Sequence, residues 1–147
     1  MKEKKNILEF FIGALISGIL NGIIKWYQVD TNEVILLTKD SITSDQNTVI
    51  GASVGLAVSM AFILTTISFF TSKIPNKPSY FPKVFLLAGK HSIYAFGVIV
   101  ILGVLIQNFF GSVELSRMAS AITTGLIALI VAYIVNYETE KNLQYHS

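Results

Sequence analysis

The amino-acid sequence predicts an all-α integral membrane protein, a four-transmembrane-helix bundle with both termini cytoplasmic. Of 147 residues, 52% are hydrophobic and only 14% are charged, and the mean hydropathy is +0.62. A soluble domain of this size would need many more charges on its surface. The apolar residues form four long runs, at approximately 7–27, 48–72, 84–110 and 113–137. Each run reaches the length of about 20 residues that a helix needs to cross a bilayer, so residues 1–147 are expected to form one membrane domain.

The first run follows a short cationic stretch and ends in Lys25-Trp26-Tyr27, a typical interfacial anchor. Because the run is long and no small-x-small cleavage site follows it, we interpret it as a retained span and not as a signal peptide. Small and polar residues recur along it at helical spacing and share one face. This face comprises Ala14, Gly18, Asn21, Gly22 and Lys25.

Residues 28–47 form a polar, acidic loop that is expected to face outward. The apolar patch at 34–37 is compatible with a short interfacial helix or with a strand. Thr43 and Gln46 have the spacing of a capping box, which predicts that the second span starts soon after them.

The second run carries Gly51 and Gly55 in a GxxxG pattern, which lets two helices approach closely in lipid. Its hydroxyl side chains can bond to their own helix and therefore do not require a pore. The span should end near Ile74, because Pro75 disfavours helical geometry in the residue before it. Pro82 suits the first position of the next helix.

The third helix is too long for a bilayer if it runs from Pro82 to Phe110, at roughly 43 Å against about 30 Å of hydrocarbon. In one interpretation residues 90–110 span and residues 81–88 form an interfacial lead-in. In the other, residues 84–104 span and Lys90 and His91 lie below the headgroups. Gln107 and Asn108 favour the second slightly, whereas the cost of burying a lysine favours the first more strongly.

Gly111 suits the end of the third helix, and Ser112 is predicted to cap the fourth. The fourth run has a face of small residues that complements the face of the first run. We therefore predict a packing seam between these two spans. The face on the fourth run comprises Ala121, Gly125, Ala128 and Ala132.

The distribution of basic residues predicts the orientation in the membrane. The N-terminus, the second loop and the C-terminus, with their flanks, hold most of them, which places these segments in the cytoplasm by the positive-inside rule. These residues are Lys2, Lys4, Lys5, Lys73, Lys77, Lys83, Lys90 and Lys141. The other side holds Lys25, Lys39 and Arg117.

Two sets of polar residues are candidates for a functional site. Asn21 lies deep in the first span, where it would line a permeation path or, as we favour, bond to a neighbouring helix. Glu9, Lys90 and His91 fall on the predicted cytoplasmic side. In one account the three side chains form a titratable cluster in a cavity. In the other they are unrelated: the glutamate lies at a helix start, the lysine extends to the headgroups and the histidine lies at the interface. We favour the second account, since each residue is near enough to a span end to reach water.

The sequence offers little for catalysis or for ligands with known motifs. There is no cysteine, and the two histidines form no HExxH or other catalytic arrangement. No cofactor or metal is expected, and a net charge of +2 does not suggest nucleic acid as a partner. We therefore expect the protein not to be an enzyme.

Four short spans and the segment GALISG in the first of them resemble the small multidrug-resistance transporters. That family implies a membrane glutamate in the first span, where this chain has Gly18, and Glu9 lies too near the helix start. The assignment is therefore rejected. The pattern of Gly13, Gly18, Asn21 and Gly22 is similar to that of small bacterial four-helix membrane proteins of unassigned function, a resemblance that carries no site residues.

The leading functional expectation is a small permease-like or transport-associated protein of the cell membrane, in contact with the lipid bilayer. The alternative is a structural or accessory subunit that packs against other helices through its glycine and alanine faces. Because four spans enclose little volume, we expect a homo-oligomer or a complex with another membrane protein. Polar side chains that converge on a water-reachable cavity would favour the permease.

Overall fold

The computed structural model describes residues 2–30, 35–38, 48–74 and 77–145 and confirms the predicted all-α fold. Four helices are long and apolar enough to cross a membrane. They are α1 (Lys2–Gln28), α2 (Val49–Thr71), α3 (Phe85–Phe110) and α4 (Arg117–Tyr145). The segment Tyr80–Val84, in which Phe81 has an extended backbone, leads into α3, and two short strands, β1 (Ile35–Leu36) and β2 (Glu114–Leu115), lie in the loops.

The two strands mark one end of the bundle, which we call the ribbon end. The opposite end, where α1 begins and α4 finishes, we call the terminus end. The strands are antiparallel, with Ile35 opposite Leu115. The backbone N–H of Leu37 also donates to the oxygen of Val113, at 2.8 Å. The apolar patch of the first loop is thus a strand, which ties this loop to the one between α3 and α4.

This pairing corrects the predicted start of α4. Ser112 does not cap the helix, because the residues that follow it extend to pair with β1. The helix begins at Arg117, and the hydroxyl of Ser116 accepts a hydrogen bond from the N–H of Ala119, at 3.2 Å. At its other end α4 continues to Tyr145, well beyond the predicted boundary at 137.

The start of α2 and the end of α3 have clear local causes. The side chain of Thr48 accepts a hydrogen bond from the N–H of Gly51, at 3.0 Å, and so caps α2. The capping box predicted at Thr43 and Gln46 lies outside the described residues. Gly111 ends α3 with a φ of 66°, a conformation that favours glycine.

The position of α3 along α2 agrees with the second interpretation of the third span. With 23 residues at about 1.5 Å each, α2 is about 34 Å long, close to the thickness of the hydrocarbon core. Val84 is buried against Phe69, in the last turns of α2, and against Leu143. Lys90 and His91 therefore lie at a level that α2 covers. Where the span starts along α3 stays a prediction; in the structure Lys90 lies on an exposed face and His91 is buried.

The helices pack in the spatial order α1, α4, α2, α3. Helix α1 lies mainly on α4, and α2 contacts both α3 and α4. Helices α3 and α4 scarcely touch, which leaves a groove between them in front of α2. The central apolar core comprises Ile50, Ala57, Ala61, Ile99, Val131 and Val135.

Helices α1 and α4 approach each other closely along the two faces of small residues. A Cβ atom added to Gly18 would lie 2.8 Å from the backbone oxygen of Gly125, and one added to Gly22 would lie 3.2 Å from that of Ala121. Farther along the same faces, Ala14, Ala128 and Ala132 are almost completely buried. Real Cβ atoms do not approach a backbone oxygen to 2.8 Å, so glycine is required at position 18.

A side chain holds the ribbon end of this seam. The Nε atom of Arg117 donates to the backbone oxygen of Trp26, at 2.7 Å. Its guanidinium also stacks over the Trp26 ring, 4.6 Å from the ring centroid. Stacking on tryptophan is a favourable use of a guanidinium.

The GxxxG pair on α2 was predicted to let another helix approach closely, but no described helix of the same chain packs on it. Gly51 and Gly55 are both exposed. A Cβ atom added to Gly51 would meet only the side chain of Thr48, and one added to Gly55 would meet no described atom within 4 Å. The glycine that α3 uses against α2 is Gly103, where an added Cβ would lie 2.7 Å from a methyl group of Ile50.

The seam predicts opposite outcomes for two glycine substitutions on α1. Gly18→Ala should destabilise the protein by about 1–3 kcal/mol, the usual cost of overpacking, because the new methyl group meets a backbone oxygen. Gly13→Ala adds the same methyl group where no described atom lies within 4 Å, so it should be neutral or slightly stabilising. Thermal unfolding in detergent measures both variants. Equal effects of the two substitutions would contradict the close contact.

Candidate functional site

The structure does not bring together the predicted cluster of Glu9, Lys90 and His91. Glu9 is exposed on α1, which packs on α4 and not on α3. Among the described residues no ion pair joins Glu9 to Lys90. Lys90 is exposed, and its ammonium lies 5.4 Å from the centroid of the Tyr94 ring. Only His91 is buried, with 7% of its surface exposed.

His91 bonds to a threonine of α2. The Nδ1 atom of His91 lies 2.8 Å from the hydroxyl oxygen of Thr65. That hydroxyl donates its proton to the backbone oxygen of Ala61, at 2.7 Å. Because a hydroxyl has one proton, its oxygen is left to accept, so His91 donates from Nδ1. The Nε2 atom is then the ring nitrogen that can accept a proton or a ligand.

Two further polar contacts join α2 to its neighbours, one to α4 and one to α3. The hydroxyl of Ser68 in α2 donates to Oδ1 of Asn136 in α4, at 2.7 Å. The hydroxyl of Ser92 in α3 donates to the backbone oxygen of Val58, at 3.1 Å. Such interhelical bonds contribute about 0.6–2 kcal/mol each in membranes. The Thr65–His91 and Ser68–Asn136 bonds make a polar layer in the terminus half of the bundle, whereas the Ser92–Val58 bond lies near the middle of α2.

The acidic residue close to His91 is Glu138 and not Glu9. Both His91 and Glu138 line the groove between α3 and α4. The sequence prediction missed Glu138 because it ended α4 at 137. A signal was present in the sequence, since small or apolar side chains recur at helical spacing past that point, at positions that the structure shows to be buried. These positions are Ala128, Val131, Ala132, Val135, Thr139 and Leu143.

The groove between α3 and α4 has a volume of about 170 Å³. Its walls are apolar, apart from His91, Tyr94 and Glu138 towards the terminus end. The remaining lining residues are Ala95, Val98, Ile99, Leu102, Ile127, Ile130, Val131, Ile134 and Val135.

A second cavity, which we call the ribbon-end cavity, lies between α1, α2 and α4. It has a volume of about 220 Å³. Its polar lining side chains come from all three helices and include amides, hydroxyls and one ammonium group. The full lining comprises Asn21, Ile24, Lys25, Gln28, Ala52, Ser53, Leu56 and Thr124.

The polar groups of this cavity differ in how they are satisfied. Asn21 donates from Nδ2 to the backbone oxygen of Ser17, at 2.9 Å, and contacts the sulfur of Met60, at 3.8 Å. Ser53 donates to the backbone oxygen of Val49, at 2.7 Å. The hydroxyl of Thr124 is buried and has no hydrogen-bond partner among the residues that the structure describes. A buried hydroxyl without a partner costs about 1–3 kcal/mol, so a bond to water or to a solute would stabilise this group.

An apolar layer separates the two polar regions. Along α2, Ser53 faces the ribbon-end cavity and Thr65 contacts His91, with Ala57 and Ala61 completely buried between them. Along α4, Val131 and Val135 belong to the same apolar core. The ribbon-end cavity and the polar layer are therefore not continuous in this conformation.

No group of three or more His, Asp or Glu side chains that could hold a metal ion occurs among the described residues. Comparison with protein-family models, curated proteins and solved structures finds no match to this chain. The four apolar helices are compatible with a multi-pass integral membrane protein.

The Thr65–His91 contact predicts the tautomer of His91. Nitrogen NMR of the protein in micelles should show the proton of the neutral ring on Nδ1, because the Thr65 hydroxyl can only accept. Thr65→Val removes the acceptor, so the population should shift towards the Nε2-protonated form. Thr66→Val is the matched control, since Thr66 bonds to Tyr80 and not to His91. A wild-type ring protonated on Nε2 would contradict the assignment.

Proposed function

We propose that this protein is a small permease-like membrane protein that admits a small polar solute through the ribbon-end cavity. The observation that carries the proposal is the convergence of Asn21, Ser53 and Thr124 from three helices on one cavity, with the Thr124 hydroxyl left without a partner among the described residues. A static packing seam would satisfy its polar groups internally, since an unpaired group in an apolar surrounding is costly.

The lining chemistry favours a neutral or anionic solute. The amides and hydroxyls can both donate and accept hydrogen bonds. Lys25 adds a positive charge, and no carboxylate of the described residues lines the cavity. A volume of about 220 Å³ is well above the ~30 Å³ that one water molecule occupies in the liquid. A small metabolite would therefore fit, whereas a large lipophilic drug would not.

Transport requires the apolar layer between the two polar regions to open. His91 and Glu138 would receive the solute, or a coupled proton, on the terminus side of that layer. Helices α3 and α4 have few direct contacts with each other, so a change in their separation would act mainly on the contacts that each makes with α2. A second copy of the chain would complete the walls of such a path, in keeping with the predicted homo-oligomer.

Cysteine labelling tests whether the cavity contains water. The chain has no native cysteine, so each introduced thiol is the only one. Thr124→Cys should react with a membrane-impermeant maleimide applied from the ribbon side, and Tyr27→Cys, which is 79% exposed at that end, is the positive control. Ala57→Cys, in the apolar core, should remain unlabelled. If Thr124→Cys reacts no faster than Ala57→Cys, the cavity is dry and the proposal fails.

A solute screen tests the transport itself. Proteoliposomes should take up some member of a panel of small neutral and anionic solutes, and Thr124→Val should weaken that solute's binding by about fivefold, the effect of losing one hydrogen bond of about 1 kcal/mol. Thr123→Val is the matched control, because Thr123 does not line the cavity. Equal losses in both variants would show that the effect is not local to the cavity.

The alternative role, an accessory subunit, is favoured by one observation, the exposed Gly51–Gly55 face of α2. Such a face lets a helix of another protein approach closely. Gly55→Leu should then abolish co-purification of a membrane partner without lowering the thermal stability of the isolated chain, because no described atom lies within 4 Å of the added Cβ. Gly97→Leu, on α3, has equally open surroundings and is the control.

A further inference from the structure

A third cavity, which we call the basic cavity, lies at the terminus end between the start of α3 and the end of α4. Its volume is about 340 Å³. One side of it carries two lysines and an amide, and the rest is apolar. The lining residues are Pro78, Lys83, Val84, Leu86, Leu87, Lys90, Asn142 and Leu143.

The two lysines bring uncompensated positive charge to this cavity. Lys83 and Lys90 are two helical turns apart and so share one face. Neither has a carboxylate oxygen within 4.0 Å among the described residues. Lys90 has only an aromatic contact, with the ring of Tyr94. On α4, Glu138 lines the groove beside His91 and does not line the basic cavity.

The depth of the cavity matches the boundary between hydrocarbon and headgroups. Val84 and Leu143 pack on Phe69, near the end of α2, and α2 is about as long as the hydrocarbon core is thick. Lys83 is therefore level with the headgroups. Lys90 lies about 9 Å deeper, at about 1.5 Å per residue from Val84, where an unpaired ammonium is unfavourable without a counter-ion.

Asn142 adds a directed polar group to the two charges. Its Nδ2 atom donates to the backbone oxygen of Glu138, at 2.7 Å, which orients the amide at the rim of the cavity. Beside it, Leu86 is 66% exposed. A ligand that combines a negative charge with a hydrocarbon chain fits both kinds of surface at once.

We propose that the basic cavity binds an anionic phospholipid, whose phosphate pairs with Lys83 and Lys90 and whose acyl chain covers Leu86 and Leu87. A zwitterionic lipid would bring a cationic group into a site that already holds two positive charges. The site is separate from the ribbon-end cavity, so it does not depend on the proposed transport function. Basic pockets between helices are a recognised form of lipid headgroup site.

Native mass spectrometry of the full chain tests the proposal. The protein would be purified from nanodiscs that contain phosphatidylglycerol and phosphatidylcholine in equal amounts, and the lipid that remains bound would be counted. Wild-type protein should retain phosphatidylglycerol selectively. The double variant Lys83→Gln/Lys90→Gln should retain about 25-fold less, at about fivefold for each lysine near a lipid phosphate.

The matched control is Lys73→Gln/Lys141→Gln, which removes the same charge from exposed lysines at the same end that do not line the cavity. It should bind lipid like the wild type, and Lys83→Arg/Lys90→Arg should retain binding because the charge is kept. Thermal unfolding of each variant separates loss of binding from loss of fold.

Three results would overturn the proposal. The first is equal retention of the two lipids by the wild type. The second is an equal loss in the control and in the Lys83→Gln/Lys90→Gln variant, which would indicate diffuse surface charge. The third is displacement of phosphatidylglycerol by inorganic phosphate, which would assign the cavity to a free anion and not to a lipid.

Discussion

The close backbone approach of α1 and α4 is the constraint on which the ribbon half of the molecule depends. Helix α1 has little other support in the chain, because it lies mainly on α4. At Gly18 and Gly125 the absence of side chains lets the two backbones come into contact. The same contact brings Asn21 of α1 and Thr124 of α4 to the same cavity. The seam is therefore a packing device that also builds the candidate site.

The terminus half is held together differently. There α2 is joined to α3 and α4 by side-chain hydrogen bonds, through Thr65 and His91 on one side and Ser68 and Asn136 on the other. In lipid the hydrophobic effect does not favour contact between helices over contact with acyl chains, so such bonds and close packing set the arrangement. One half of the bundle thus relies on small residues and the other on polar ones.

Because the two halves are packed differently, their candidate functional groups also differ. The ribbon half offers a polar cavity with a hydroxyl that no described residue bonds, and the terminus half offers a buried histidine near Glu138. The apolar core between them closes any path in this conformation, and α3 and α4 have few direct contacts with each other although both pack on α2. A basic cavity at the headgroup level on α3 would let the lipid composition act on that same helix.

The sequence predicted the architecture well because the bilayer imposes a length on every apolar run. The span count and the complementary faces of α1 and α4 follow from spacing alone, as Gly18 and Ala121 illustrate. Spacing also suggested a partner for Gly51 and Gly55, but which face of a helix meets a neighbour depends on how all four helices are arranged. The ends of α4 were missed because strand pairing at Glu114 and Leu115 delays its start, and because polar residues from Glu138 onward resembled a tail.

By itself, then, the amino-acid sequence determined that this chain forms four helices long and apolar enough to cross a membrane, with a glycine seam, since hydrophobic length and residue size are local properties. Only the tertiary structure decided which polar residues meet. Glu9 is separated from Lys90 because α1 lies on α4, away from α3, whereas His91 joins Thr65 because the level of α3 against α2 sets them side by side. Contacts between distant residues depend on the order of the helices and on how far each helix is shifted along its neighbour. The residue spacing within a single apolar run determines neither of these.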